Sequence, residues 1–154
     1  LEAAVEFAHA TRELGVEYIE EPTRSSSDLE RFFSAPRMPY ALDETVLECN
    51  DLSVFTHAAA LIVKPTLLGG ADRVDLLAKT GLPLVFSSCF ESGVGVRSVA
   101  RYAAQYAPQT PAGLDTYRWI RDDLLTKPLE MATGHLKHKG PIQVDLAAVE
   151  EIAP

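Results

Sequence analysis

Leu61-Ile62-Val63-Lys64-Pro65 carries the plainest structural signal in the chain. Three apolar residues, two of them β-branched, run into a lysine and then a proline, the pattern of a short buried strand with a hard stop. The pattern recurs on both sides. Leu84-Val85-Phe86 runs into Ser87-Ser88, Tyr40 to Leu42 into Asp43-Glu44, and Val16 to Ile19 into Glu20-Glu21-Pro22. Pro111-Ala112-Gly113-Leu114-Asp115 reads as one more short strand end. The ends fall at 20, 43, 64, 87 and 113, at intervals of 23, 21, 23 and 26 residues.

Helical stretches fill the intervals. Leu1 to Leu14 places Ala4, Val5, Ala8 and Leu14 at helical spacing and stops at Gly15. Ser26, Ser27 or Asp28 offers a cap for a helix over Leu29 to Ser34, which Pro36 and Pro39 break. Further helices are expected over Leu52 to Ala59, from Gly70 through Lys79 to a stop at Gly81, and over Gly93 to Tyr106. Short strands alternating with helices at this period indicate α/β architecture with parallel βαβ units, doubly wound or a (β/α) barrel. A polar residue at the C-terminal end of strand after strand favours a partial (β/α) TIM-type barrel, because that rim is where barrel enzymes build their sites.

About five of eight units are legible, whereas a full barrel takes about 250 residues. The expectation is therefore a barrel portion over residues 1–128 and a tail over 129–154, with the remaining units upstream or the open edges covered by association. In the tail, Gly134 to Gly140 with His135, Lys137, His138 and Lys139 reads as a basic loop, and Pro141 to Leu146 as a terminal strand or extended segment.

Composition narrows the function classes. Fourteen Lys and Arg face 22 Asp and Glu, for a net charge of −8, and 47% of the 154 residues are hydrophobic. An acidic globular chain is a poor coat for nucleic acid or an anionic membrane. The longest apolar run, Ala58 to Val63, is strand-sized and far short of a bilayer span. Two cysteines, Cys49 and Cys89, make no disulfide framework, so a reducing, cytoplasmic setting is expected.

Glu20 and Asp43 end adjacent strands, which brings their carboxylates to one rim. Converging carboxylates suit Mg²⁺, a hard cation that takes oxygen ligands and acts as a Lewis acid toward a carboxylate or enolate. The plain alternative is that each is a solvated strand end or a helix cap. Glu21 and Glu44, one residue further on, point elsewhere by alternation and are read as supporting or salt-bridged groups. Lys64 on the same rim can stabilise a developing enolate or move a proton, or else be a snorkelling surface lysine. Ser87 and Ser88 with Glu91, and Gly113 through its N–H, offer contacts for a substrate carboxylate, against simple turn chemistry. Cys89 reads as a small apolar filler, and His9 and His57 as helical residues without metal-ligand spacing. Gly69-Gly70 lacks both nucleotide-loop spacings. Tyr102, Tyr106, Tyr117 and Trp119 read as helix-packing aromatics.

Taken in order, Tyr18-Ile19-Glu20-Glu21-Pro22, Leu42-Asp43-Glu44-Thr45, Ile62-Val63-Lys64-Pro65-Thr66-Leu67-Leu68-Gly69-Gly70, Ser87-Ser88-Cys89-Phe90-Glu91-Ser92 and Gly113-Leu114-Asp115-Thr116 resemble the C-terminal barrel portion of the enolase superfamily. Within it they resemble the o-succinylbenzoate synthases of menaquinone biosynthesis. The resemblance implies Glu20 and Asp43 as the second and third metal carboxylates, Mg²⁺ as cofactor, and Lys64 as the sixth-strand lysine that stabilises the enolate as a cation. It implies Ser87, Ser88 and Gly113 as substrate contacts. The implied reaction is syn dehydration of a cyclohexadiene carboxylate (SHCHC) to o-succinylbenzoate, through an enediolate that Mg²⁺ stabilises. The family's acid/base lysine, first metal aspartate and cap domain are expected upstream of Leu1, so residues 1–154 alone are expected to be inactive. Other readings are a muconate-type cycloisomerase, an N-acylamino acid racemase or a dipeptide epimerase, and a non-catalytic barrel remnant held together by oligomerisation. The expected partner is a small-molecule carboxylate.

Overall fold

The computed structural model describes residues 1–137 and 140–149, so His138 and Lys139 of the expected basic loop lie outside the described residues. Strand and helix alternate from the start. Helix α1 (Glu2–Ala10) leads through a 3-10 turn and a left-handed Gly15 to β1 (Ile19–Glu20). Then come α2 (Leu29–Ser34), β2 (Tyr40–Leu42), α3 (Glu44–Glu48), β3 (Ala58–Val63), α4 (Pro65–Leu68), α5 (Ala71–Ala78), β4 (Leu84–Phe86) and α6 (Gly93–Tyr106). Pro65 opens α4 at its first turn, where a missing N–H costs nothing. Gly69 and Gly70, with φ of 82° and 146°, make the break between α4 and α5 that a side chain resists.

The sheet order is β1-β2-β3-β4, all parallel. Ile19 pairs with Tyr40, Leu42 with Leu61 and Val63 with Phe86, and a register shift lies between Tyr40 and Ala41. Ser87 then bridges Gly113 in parallel sense, which places a fifth chain segment beside β4. That segment is one bridge rather than a strand, because the chain turns at once into a 3-10 helix over Asp115–Trp119.

Strand alternation sorts the sheet residues onto two faces. Tyr40, Leu42, Leu61, Val63, Leu84 and Phe86 join Leu29, Phe32, Val74, Leu77, Val99 and Ala103 of the helices in the main core. Fully burying one such aliphatic or aromatic side chain contributes roughly 1.5–3 kcal/mol. The opposite face holds a small cluster of Ala41, Ala60 and Ile62 with Tyr18 and Val85 against it. A parallel sheet with helices on one side and a short row of apolar residues on the other is a barrel wall seen from its outer and inner faces.

Several local expectations are corrected. The segment expected to be helical over Leu52 to Ala59 is a 3-10 turn over Leu52–Val54, and β3 begins at Ala58. Asp51 causes this, because its carboxylate accepts from both the N–H and the hydroxyl of Ser53 and holds a local turn. His57 accordingly sits in a turn rather than a helix; it stacks on Phe33 at 3.9 Å, and its Nδ1 lies 2.5 Å from Glu30 Oε2. Asp28 precedes α2 without capping it and pairs instead with Arg31 at 2.5 Å. His135 and Lys137 are not in a loop but in β6 (His135–Lys137), antiparallel to β5 (Glu130–Ala132). Thr133 and Gly134 both have positive φ, the geometry of a tight hairpin turn. Trp119 is 72% exposed and so is not a packing aromatic, whereas Tyr102 stacks on Phe86 and Tyr106 lies tilted beside it.

The C-terminal segment has its own small core, in which Leu125 and Leu129 meet Val96 and Tyr117 with Met131, Leu136 and Ile142 around them. Asp123 fastens it. Its carboxylate accepts from the N–H of Gly93 at 2.7 Å and the hydroxyl of Tyr117 at 2.5 Å, and Tyr117 in turn accepts from the N–H of Leu129. Burial, then the Asp123 hydrogen bond, pushes the Tyr117 phenol up. No helix among the described residues is long and apolar enough to cross a membrane.

Candidate active site

The inner face ends in charge. Glu20 lies level with Ala41; Asp43, Lys64 and Ser87 each stand two residues beyond Ala41, Ile62 and Val85. By alternation all four continue the inner face at the C-terminal ends of neighbouring strands. Helices α3 and α4 start immediately afterwards, with Asp43 and Lys64 as the residues that precede them.

Lys64 Nζ donates to Asp43 Oδ2 at 2.6 Å, with side chains only 19% and 14% exposed. Burial pulls the Lys64 ammonium down, but the Asp43 hydrogen bond and the charges of Asp43, Glu44 and Cys89 outweigh it and hold it above the usual lysine range. Lys64 is therefore a cation at this rim. Glu20 is exposed, and after burial its charge is the next cause of the upward shift of the phenol of Tyr18, which immediately precedes the strand. Glu21 points away, as alternation predicts. Its Oε2 accepts from the N–H groups of Asp43 at 2.8 Å and Thr45 at 3.3 Å, and its Oε1 from the Thr45 hydroxyl at 2.6 Å.

Further round the rim, Ser87 is half-buried beside Gly113, where a Cβ on the glycine would lie 3.2 Å from Ser87 Oγ. The expectation that the Gly113 N–H is free for a substrate is overturned, because it donates to the carbonyl of Phe86 at 2.8 Å. Gly113 therefore supplies closeness rather than a donor. Ser88 is buried, with its hydroxyl 2.7 Å from that of Thr116 and donating to the Gly113 carbonyl at 3.1 Å. Glu91 accepts from the Thr66 hydroxyl at 2.5 Å and from the N–H of Cys89. Cys89 is exposed and not a filler, because the loop turns outward at Phe90, whose φ is 58°. Positive φ at Glu21 (37°) and Phe90 costs of order 1–3 kcal/mol each and clusters at this rim.

Three threonines had no assigned role in the sequence: Thr45, Thr66 and Thr116. The signal was their spacing, two or three residues after Asp43, Lys64 and Gly113. The carboxylates of Glu20 and Asp43 are hard donors of the kind Mg²⁺ takes. Among the described residues no group of three or more His, Cys, Asp or Glu is placed to hold a metal. The donors fit in kind.

No family model matches the chain. It is 35% identical over 127 residues to o-succinylbenzoate synthase of Haemophilus influenzae, covering 75% of this chain and 38% of that protein. It is 30% identical over 154 residues to Protein PHYLLO, chloroplastic, of Arabidopsis thaliana, covering 83% of this chain and 9% of that one. The chain thus spans little more than a third of the synthase it matches. Among solved structures it superimposes on MenC from Desulfotalea psychrophila with a TM-score of 0.72 at 24% identity, over 86% of this chain and 40% of that one. A mandelate racemase/muconate lactonizing enzyme from Roseovarius nubinhibens gives 0.77 at 20% identity, over 97% and 44%. In sequence the chain matches part of the o-succinylbenzoate synthases, and in fold it is a partial (β/α) barrel like that of these solved structures.

Proposed function

We propose that these 154 residues form part of an o-succinylbenzoate synthase, a carbon–oxygen lyase that dehydrates SHCHC in menaquinone biosynthesis. One observation carries the reading. Glu20, Asp43, Lys64, Ser87 and Gly113 follow one another around a single rim, on a chain whose sequence matches such synthases. Glu20 and Asp43 would hold Mg²⁺ together with at least one ligand from outside this chain. When bound, such an ion offsets the negative charge that develops on a substrate carboxylate as its α-proton leaves. Lys64, held as a cation by Asp43 and Glu44, adds a second positive charge at the same rim, where electrostatic stabilisation is worth most. Ser87 is placed to orient the substrate, with Gly113 leaving room beside it. Ser88, buried with its hydroxyl on the Gly113 carbonyl and beside that of Thr116, braces that strand end rather than meeting the substrate. The partner is a small carboxylate, and no residue of this rim matches an acid/base lysine.

The experiment is a dehydration assay on residues 1–154 alone and with the remaining βα units supplied in trans or by fusion. General acid–base catalysis contributes about 10²–10⁴-fold, so no turnover above background is expected from the chain alone. Supplying the missing units should restore it. Racemisation of N-acylamino acids by the completed barrel, without dehydration, would transfer the proposal to a racemase. Activity of the isolated chain that is lost in Lys64→Ala would show that Lys64 serves as the base unaided.

A further inference from the structure

Glu21 and Glu91 are acidic groups on the rim that neither the metal pair nor the lysine reading uses. Both carboxylates are already occupied. Glu21 accepts three donors, all from the segment Asp43–Thr45, and so ties the end of β1 to the start of α3. Glu91 ties the loop after β4 to the start of α4 through the hydroxyl of Thr66. In each case the threonine lies two residues beyond a charged strand-end residue, Thr45 after Asp43 and Thr66 after Lys64. In each case, too, the backbone is shaped around the clasp. Glu21 adopts a φ of 37°, and a Cβ on Gly95 would lie 2.5 Å from Glu91 Cβ and 2.9 Å from its Cγ, so only glycine leaves Glu91 its place.

We propose that Glu21 and Glu91 are positioning residues, each clasping the threonine beyond a neighbouring strand end and thereby fixing where Asp43 and Lys64 present their charges. The two clasps brace the two members of the 2.6 Å Lys64–Asp43 pair from opposite sides of the rim. Glu21 also fixes the backbone of Asp43 itself, through its N–H. A carboxylate filled by three donors has little capacity left for an ion or a substrate. This inference rests on reading Glu20, Asp43 and Lys64 as the site.

Four variants of the chain test it: Glu21→Gln, Thr45→Val, Thr45→Ser and Gly95→Ala. Two readouts are used, amide exchange with the Lys64 ammonium signal by NMR, and affinity for Mn²⁺ as the probe. Loss of a group that orients a metal ligand typically costs about 10–100-fold in metal affinity. Glu21→Gln and Thr45→Val should each weaken Mn²⁺ binding by that factor and speed exchange of the Asp43 amide about tenfold. Thr45→Ser, which keeps the hydroxyl, should preserve both. Gly95→Ala should shift the Lys64 ammonium signal and leave the Asp43 amide unchanged. Equal losses in Thr45→Ser and Thr45→Val would make the role one of packing and overturn the proposal, as would an unchanged Asp43 amide in Glu21→Gln. If the unaltered chain binds no Mn²⁺, or Glu20→Gln leaves its affinity unchanged, the metal-site reading fails. The exchange rates and the Lys64 signal then still decide whether the clasps position Asp43 and Lys64.

Discussion

The outer face of the sheet meets the helices with Tyr40, Leu42, Leu61, Val63, Leu84 and Phe86, whereas the inner face offers Ala41, Ala60, Ile62 and Val85 and ends in Glu20, Asp43, Lys64 and Ser87. Alternate positions of the same strands therefore serve two purposes, one residue out of phase. Large side chains on one side supply the buried area that makes the fold stable. The shorter row on the other, Ala41, Ala60, Ile62 and Val85, leaves the rim to charge. The comparison teaches that stability and chemistry are separable here by strand alternation, so substitutions one residue apart should fail in different ways.

The largest effect should come from the outer face. Phe86 is 1% exposed and lies between the sheet and the stacked rings of Tyr102 and Tyr106. Phe86→Ala should cost about 3–5 kcal/mol, read as a lower urea midpoint with little change in slope. A loss below about 1 kcal/mol would show that the outer face is not the main source of stability.

A middle-sized effect should come where the C-terminal segment is attached. A Cβ on Gly93 would fall 2.5 Å from Leu125 Cδ1 and 2.7 Å from Asp123 Oδ2. Gly93→Ala should cost about 1–3 kcal/mol through overpacking, and amides from Leu124 to Leu129 should exchange faster than those of β3. Uniform acceleration across both regions would mean that the segment and the sheet open as one unit.

The smallest effect lies at the other end of the outer face. Glu30 accepts from the Tyr40 hydroxyl at 2.5 Å and lies beside His57. Burial pushes its carboxyl up, but the hydrogen bonds from Tyr40 and His57 outweigh this and hold it below its usual 4.5. A carboxyl depressed in the native state contributes stability above its unfolded pKa and loses it as pH falls through the native one. Glu30→Gln should therefore be less stable than the unaltered chain at neutral pH, by under about 1 kcal/mol because the group is partly exposed. The gap should close on acidification below 4.5. A gap that widens in acid would reverse the sign of the account.

How much of this was legible in the sequence follows from what each signal depends on. The strand ends were readable because a charge straight after an apolar run has few explanations. Parallel pairing followed from the spacing, since only a helical crossover fills some 20 residues. The 3-10 turn at Leu52–Val54 was not readable as such, because an Asp51–Ser53 hydrogen bond competes with helix at short range and leaves apolar spacing intact. The hairpin at 130–137 was missed because its turn is Thr133-Gly134 rather than the usual Asn-Gly or Asp-Gly. Gly113 showed its position but not the fate of its N–H, which depends on the register of β4. The threonine clasps were hidden for a similar reason, as a hydroxyl serves too many local roles for its spacing alone to assign a partner.

The central claim is that the inner-face rim carries chemistry that the outer face does not. Its most direct test is dehydration of SHCHC by the completed barrel bearing Lys64→Met, compared with the unaltered barrel. Removing one preorganised charge-stabilising group typically costs about 10²–10³-fold in rate. The account predicts a fall of that size, with stability reduced by no more than about 2 kcal/mol, since the Lys64–Asp43 pair is half-buried rather than interior. Turnover within a few-fold of the unaltered barrel, or a loss explained entirely by unfolding, would contradict it.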